Sequence, residues 1–193
     1  MYRKAAEKLA EVAIDKQIIS SDDKAMYIYA YEAMFARILG WGTLLLLGII
    51  FQCIPGTIAF FIVFFPLRIF AGGYHARNYE KCYMTSTVTF AFLTFGSRFI
   101  VSDINPLILI IIVVACLTTI LVLAPVGDEN KPLDQFEQIK YGIIAKVIAT
   151  VEAIVIILMV FEQLNWEIVL FSTSALLLES ALLLAAKCKI SYA

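Results

Sequence analysis

Residues 38–67, ILGWGTLLLLGIIFQCIPGTIAFFIVFFPL, run for 30 positions without a charged side chain. As a single helix this stretch would reach about 45 Å, well beyond the hydrocarbon layer of a bilayer. Pro55-Gly56 lies in its middle, and that dipeptide is a turn signal. The stretch therefore reads as two short spans, roughly Ile38–Ile54 and Thr57–Ala71, with Pro66 expected to kink the second by removing a backbone donor.

Working outward, four more apolar runs fall at about Tyr83–Val101, Leu107–Val126, Tyr141–Phe161 and Ile168–Ala186. The chain has 193 residues, of which 62% are hydrophobic and 16% charged, more apolar surface than a water-soluble domain of this length can hide. The expected fold is all-α: a polytopic helical membrane protein with about six transmembrane helices, preceded by an N-terminal amphipathic helical region. Residues 1–37 form that region and residues 38–193 the transmembrane domain. No cleavable leader is expected, because charges are spread through residues 1–37. A formal net charge of −1 gives no electrostatic case for nucleic acid.

Lysine and arginine set the expected topology. The first 37 residues carry six of them, Arg3, Lys4, Lys8, Lys16, Lys24 and Arg37, whereas the Pro55-Gly56 turn has none. Arg68, Arg77 and Lys81 lie in or beside residues 68–82, Lys131 and Lys140 in the loop 127–140, and Lys187 and Lys189 in the tail. Arg98 alone stands beside the turn at Asp103 and Asn105-Pro106, and the Leu164-Asn165 turn is bare. Basic and bare segments alternate, which puts both termini, segment 68–82 and loop 127–140 on the cytoplasmic side. Ahead of the spans, Tyr2, Ala5, Ala6, Leu9, Ala13 and Ile14 share one helical face. Ser20-Ser21-Asp22-Asp23 then interrupts the pattern and can cap a second helix through Tyr27, Tyr31 and Phe35. The first helix reads either as a juxtamembrane packing element or as an interfacial helix that helps dock a membrane-bound substrate.

Segment 70–82, FAGGYHARNYEKC, holds the one histidine of the chain. That count excludes proteases with two histidine metal ligands. The six aspartates, at 15, 22, 23, 103, 128 and 134, fall outside or at the ends of spans, which excludes an intramembrane aspartyl pair. No GxSxG elbow is present, and the cysteines at 53, 82, 116 and 188 show no metal-ligand spacing, so neither a metal nor a cofactor is expected. Cys53 and Cys116 lie in apolar runs, where cysteine acts as a small buried hydrophobe. What remains for a hydrolase is His75 with Cys82: a thiolate nucleophile favoured by a neighbouring imidazolium and by the positive field of Arg68, Arg77 and Lys81. Seven residues along a straight helix span about 10.5 Å, too far for a hydrogen bond. His75 must then sit in a bend that folds back on a helix carrying Cys82, with Gly72-Gly73 supplying the freedom. On the residues alone, the dyad and an ordinary cytoplasmic loop with an incidental histidine both stand.

Here the pattern resembles a family. RIFAGGYHARNYEKC at 68–82, followed by LAPVGDENKPL at 123–133, is similar to the accessory gene regulator B (AgrB) family, membrane cysteine endopeptidases of Gram-positive quorum sensing. The likeness extends over essentially the whole chain. It implies that His75 matches the catalytic histidine and Cys82 the nucleophile, that Arg68 and Gly73 match positions kept in the same stretch, and that Lys131 and Pro132 match a second cytoplasmic segment. Some relatives have a lysine run where this chain reads Gly127-Asp128-Glu129-Asn130-Lys131, so a grip on an acidic propeptide tail is not carried over to this loop.

The resemblance implies a bacterial cell-membrane enzyme whose partners are the bilayer and a membrane-associated propeptide, with a homodimer as the oligomeric state to test. Cys82 would cut off the propeptide's C-terminal tail, leaving a thioester that an internal substrate thiol or hydroxyl closes into a thiolactone or lactone. Asn78 and Glu80 are candidates to orient His75, and backbone amides near Gly72-Gly73 are candidates for an oxyanion hole. Glu152 and Glu179 fall near the middle of their spans and are expected to face the bundle interior, either protonated or paired with a cation such as Lys146 or Arg98. They read as an interhelical hydrogen bond or as a polar cavity that accepts peptide or helps product cross. The alternative from another class is a small membrane transporter or peptide exporter without catalysis, for which His75 and Cys82 are dispensable.

Overall fold

The computed structural model describes residues 3–73, 79–100, 105–127 and 134–191, with backbone alone for 79–82, 85, 97–100 and 189–191. These residues form α1 (Arg3–Asp15), α2 (Lys24–Ile50), α3 (Ile54–Phe70), α4 (Tyr79–Ile100), α5 (Pro106–Leu123), α6 (Gln135–Phe161) and α7 (Trp166–Ser191). No strand occurs among the described residues. Four stretches are long and apolar enough to cross a membrane: Ser21–Ile50, Pro106–Leu123, Gln135–Phe161 and Trp166–Cys188. Ile54–Phe70 and Ser86–Gly96 are shorter apolar helices. The protein is thus an all-α helical membrane protein, with a helix at each of the six expected positions.

The uncharged stretch does divide in two, but the break falls at Phe51–Cys53, ahead of Pro55-Gly56. Pro55 instead stands in the first turn of α3, where a missing backbone N–H costs nothing. The chain reverses through Gln52, which adopts a left-handed φ of 53°. Pro66 lies inside α3 without ending it. The expected second N-terminal helix and first span run together as the 27-residue α2, since nothing between Tyr27 and Ile38 interrupts a helix. Conversely, α5 stops at Leu123 and not at Val126, because the residue before Pro125 is driven out of the helical region; Ala124 has ψ 141°. Six residues assigned to the polar loop, 135–140, belong to α6, started by a capping box between Asp134 and Glu137.

Two compact units are distinguished by contacts. One comprises residues 1–46 and 76–90. Within it α1 buries Ala6, Ala10 and Ala13, while Leu9 and Val12 are exposed, so the packed face is the alanine one. Glu11 pairs with Lys24 at 3.1 Å, and the hydroxyls of Thr43 and Tyr83 meet at 3.1 Å. The other unit, residues 47–75 and 91–193, contains a cluster in which α3 packs on α7, and α5 on both α6 and α7. Phe60, Val63 and Leu67 of α3 are buried there with Val113, Cys116 and Ile120 of α5 and Phe171, Leu176 and Leu183 of α7. On α6 the buried stripe is Gly142, Ala145, Ala149 and Ala153, small residues that let helix backbones approach in the absence of a hydrophobic driving force. Large apolar side chains such as Ile62, Phe92 and Val122 point outward, as lipid-facing positions do.

Candidate active site

The site is built from the end of α3. Arg68 lies in the last turn, and the chain leaves the helix at Ala71 and bends through Gly72 (φ 76°) and Gly73 (φ 99°). Both glycines hold left-handed conformations that a side chain resists, so the bend expected from Gly72-Gly73 is present. It is also bonded over a long range. The Val126 N–H donates to the Ala71 carbonyl at 2.9 Å and the Gly73 N–H to the Val126 carbonyl at 3.1 Å, an isolated parallel bridge. The segment leading toward His75 is thereby fastened to the Ala124-Pro125-Val126 exit of α5. A Cβ on Gly72 would collide with the Val126 carbonyl oxygen, and one on Gly142 of α6 would stand 2.9 Å from Pro125 Cδ. Phe70 and Tyr141 close the same corner edge-on, ring centroids 5.7 Å apart.

This knot of irregular backbone is not peripheral to the helices. A Cβ on Gly73 would stand 3.0 Å from Arg68 Nη1 and 3.3 Å from the Leu182 carbonyl carbon of α7. Leu182 lies six residues inside the Cys188 end of the apolar stretch of α7, about 9 Å along the helix. Non-helical backbone at such depth is tolerated only where its polar groups are satisfied by protein. Ala71 and Gly73 are buried, as are Ala124 and Val126, and the bridge supplies the hydrogen bonds.

One charged side chain touches the knot, and two carboxylates are linked to it electrostatically. Arg68 Nη1 donates to the Gly72 carbonyl. Glu179 on α7 is fully buried, with neither carboxylate oxygen hydrogen-bonded, and Glu152 on α6 has one buried oxygen without a partner. Arg68 acts electrostatically on Glu179, and Glu179 on Glu152. Both glutamates face the interior as expected, but among the described residues the interhelical hydrogen bond is not made, and the cation that acts on Glu179 is Arg68. Lys146 is exposed and Arg98 has no described side chain. Ser180, next to Glu179, donates to the Leu176 carbonyl at 2.8 Å and to the Cys116 carbonyl at 3.3 Å, tying α7 to α5.

His75, Asn78, Lys131 and Pro132 lie outside the described residues. Cys82 is the fourth residue of α4 and, like Glu80, is described by backbone alone; the helix expected to carry Cys82 is present. The Gly73 amide is occupied by Val126 and is not free to serve an oxyanion. Cys53 and Cys116 are buried and Cys188 is exposed. Sequence reasoning missed Val126 and Leu182 as partners of the bend. The signal for Val126 was the Ala-Pro that ends α5; for Leu182 there was none, since it is one leucine among many.

No curated protein and no solved structure matches the chain. The family model for accessory gene regulator B (AgrB) matches residues 3–183, nearly the full length, including both stretches that form the knot. The chain belongs to the AgrB family, membrane proteins of accessory gene regulator quorum sensing.

Proposed function

We propose that the chain is an integral-membrane cysteine endopeptidase that removes the C-terminal tail of a quorum-sensing propeptide and promotes its cyclisation, with both termini and the active site cytoplasmic. The observation that carries this reading is the bonded Gly72-Gly73 turn, placed two residues before His75 and level with the apolar stretch of α7. A bend so firmly held suits a catalytic segment, because a reacting group must be kept in one geometry. A loop with an incidental histidine has no use for two left-handed glycines and a long-range bridge.

In the proposed reaction His75 accepts the proton of the Cys82 thiol, and the thiolate attacks the carbonyl carbon at the tail junction. The C–N bond breaks as His75 returns the proton to the leaving amine, so the tail departs and the peptide remains as a thioester on Cys82. An internal thiol of the substrate then attacks that thioester, its proton passes to the Cys82 sulfur, and a thiolactone leaves. Water would give a linear acid instead, so depth in the membrane favours the ring. Thioester exchange is nearly neutral whereas the first step is uphill, so turnover depends on removal of the released tail; complete cyclisation with the tail retained would overturn that point. Lys131 and Pro132 are assigned to the substrate-facing cytoplasmic segment.

The reading is tested in liposomes containing the full chain and its propeptide. Cys82→Ala and His75→Ala should each abolish tail release, and iodoacetamide should inactivate the wild type in proportion to alkylation of Cys82. Tail release at the wild-type rate by Cys82→Ala would sink the peptidase and leave the exporter.

A further inference from the structure

We propose that Glu179 is a positioning residue for the catalytic segment: from the middle of α7 it supplies the counter-charge to Arg68, whose guanidinium holds the Gly72 carbonyl and so fixes the turn before His75. The inference rests on the peptidase reading above.

Three observations carry it. Glu179 is fully buried and both its oxygens lack a hydrogen bond, an arrangement that a membrane interior makes expensive and that calls for a cation nearby. Arg68 Nη1 and the backbone of Leu182 both border the space left by the missing side chain of Gly73. Leu182 lies one turn beyond Glu179, so the Glu179 turn of α7 faces the Arg68 end of α3. Arg68 also donates to Gly72, so the cation that acts on Glu179 is bonded to the bend. The surroundings leave few other charges to do this work. Among the elements packed here, α5 has no charged residue, α6 offers Glu152, exposed Lys140 and Lys146 and, in its first turn, Glu137, and on α7 Glu167 is twelve residues before Glu179 and exposed Lys187 eight residues after it. Glu152 on α6 acts electrostatically on the same carboxylate, so Glu179 has a like charge on one side and Arg68 as its cation. A guanidinium suits this task better than an ammonium, because its donors are fixed in a plane.

The test uses the full chain in liposomes with its propeptide. Glu179→Gln keeps the size of the side chain and removes the charge. Per folded protein, its kcat for tail release should fall roughly 10- to 100-fold with KM unchanged, the size expected when a reacting group is misplaced by about an ångström. Arg68→Lys should fall to a similar level, and the double variant should be no worse than either single one, as residues acting through one another are non-additive. Because His75 is the only histidine, 13C-histidine labelling gives one imidazole signal; it should move in Glu179→Gln and stay in place in the exposed control Glu162→Gln. Wild-type kcat in Glu179→Gln, an unmoved signal, or additive losses in the double variant would each overturn the proposal. Should Glu179→Gln fail to fold, Glu179→Asp decides: it retains the charge and should keep KM and most of kcat, and a loss of kcat as large as that of Arg68→Lys would overturn the idea. Cys82→Ala run in parallel separates the two levels. If it still releases the tail, the peptidase reading fails; if it is inactive while Glu179→Gln behaves as wild type, only the role of Glu179 fails.

Discussion

The two ends of α3 are turned in opposite ways. At the start, Phe51–Cys53 reverses the chain with local means: Gln52 accepts a left-handed φ, the Cys53 N–H bonds back to the Gly48 carbonyl at 2.8 Å, and Thr57 Oγ1 donates to the Cys53 carbonyl at 2.8 Å. One distant group helps, the Glu167 carboxylate, which accepts from the Gly56 N–H at 2.8 Å. At the other end, Ala71–Gly73 has local bonds too, from the Ala71 N–H to the Leu67 carbonyl and from Arg68 to the Gly72 carbonyl, but it is also tied to distant residues: Val126 across a two-bond bridge and Leu182 on α7, which packs against Gly73. A turn that merely joins two helices can rely on its neighbours. A turn gripped from α5 and α7 has its position specified.

This contrast can be broken in order of expected effect. Gly72→Ala should do most harm, because the new Cβ meets both an unfavourable φ and the Val126 carbonyl; about 3 kcal/mol of stability should be lost, with tail release, in thermal unfolding and cleavage assays. Val126→Pro deletes the donor to the Ala71 carbonyl and should cost about 2 kcal/mol, again with loss of cleavage per folded protein. At the local turn, Glu167→Ala leaves the Gly56 N–H without its partner and should cost about 1 kcal/mol while cleavage per folded protein holds. Gln52→Gly removes the left-handed strain and should raise stability by about 0.5–1 kcal/mol with activity unchanged. Equal losses of activity at the two turns would erase the distinction drawn here.

The helices were legible because lipid leaves apolar length and basic flanks in plain view: 30 uncharged residues around Pro-Gly implied two helices, and two helices are there. The exact break was not legible. Pro55 signals a turn and a helix start with equal force, and the choice depends on Gln52 and Cys53, which carry no turn signature. The end of α5 was misplaced for a related reason, since Pro125 acts on the residue before it. The need for bending at Gly72-Gly73 was readable from the glycines themselves, whereas its partner Val126 is some fifty residues away, and the Ala124-Pro125 before it marks a helix end without saying what that end meets. Glu179 was recognisable as costly from its place in an apolar run. That Arg68 of α3 acts on it follows from helix packing, which periodicity does not reveal.

The central claim is that the gripped turn serves a cysteine nucleophile. Its most direct test is intact mass spectrometry of the full chain in liposomes, mixed with its propeptide and quenched in acid, beside Cys82→Ala and His75→Ala. The account predicts a covalent adduct on the wild type equal to the propeptide less its tail, released by hydroxylamine and absent from both variants. A wild-type protein that releases the tail with no such adduct, or an adduct that persists in Cys82→Ala, would contradict it.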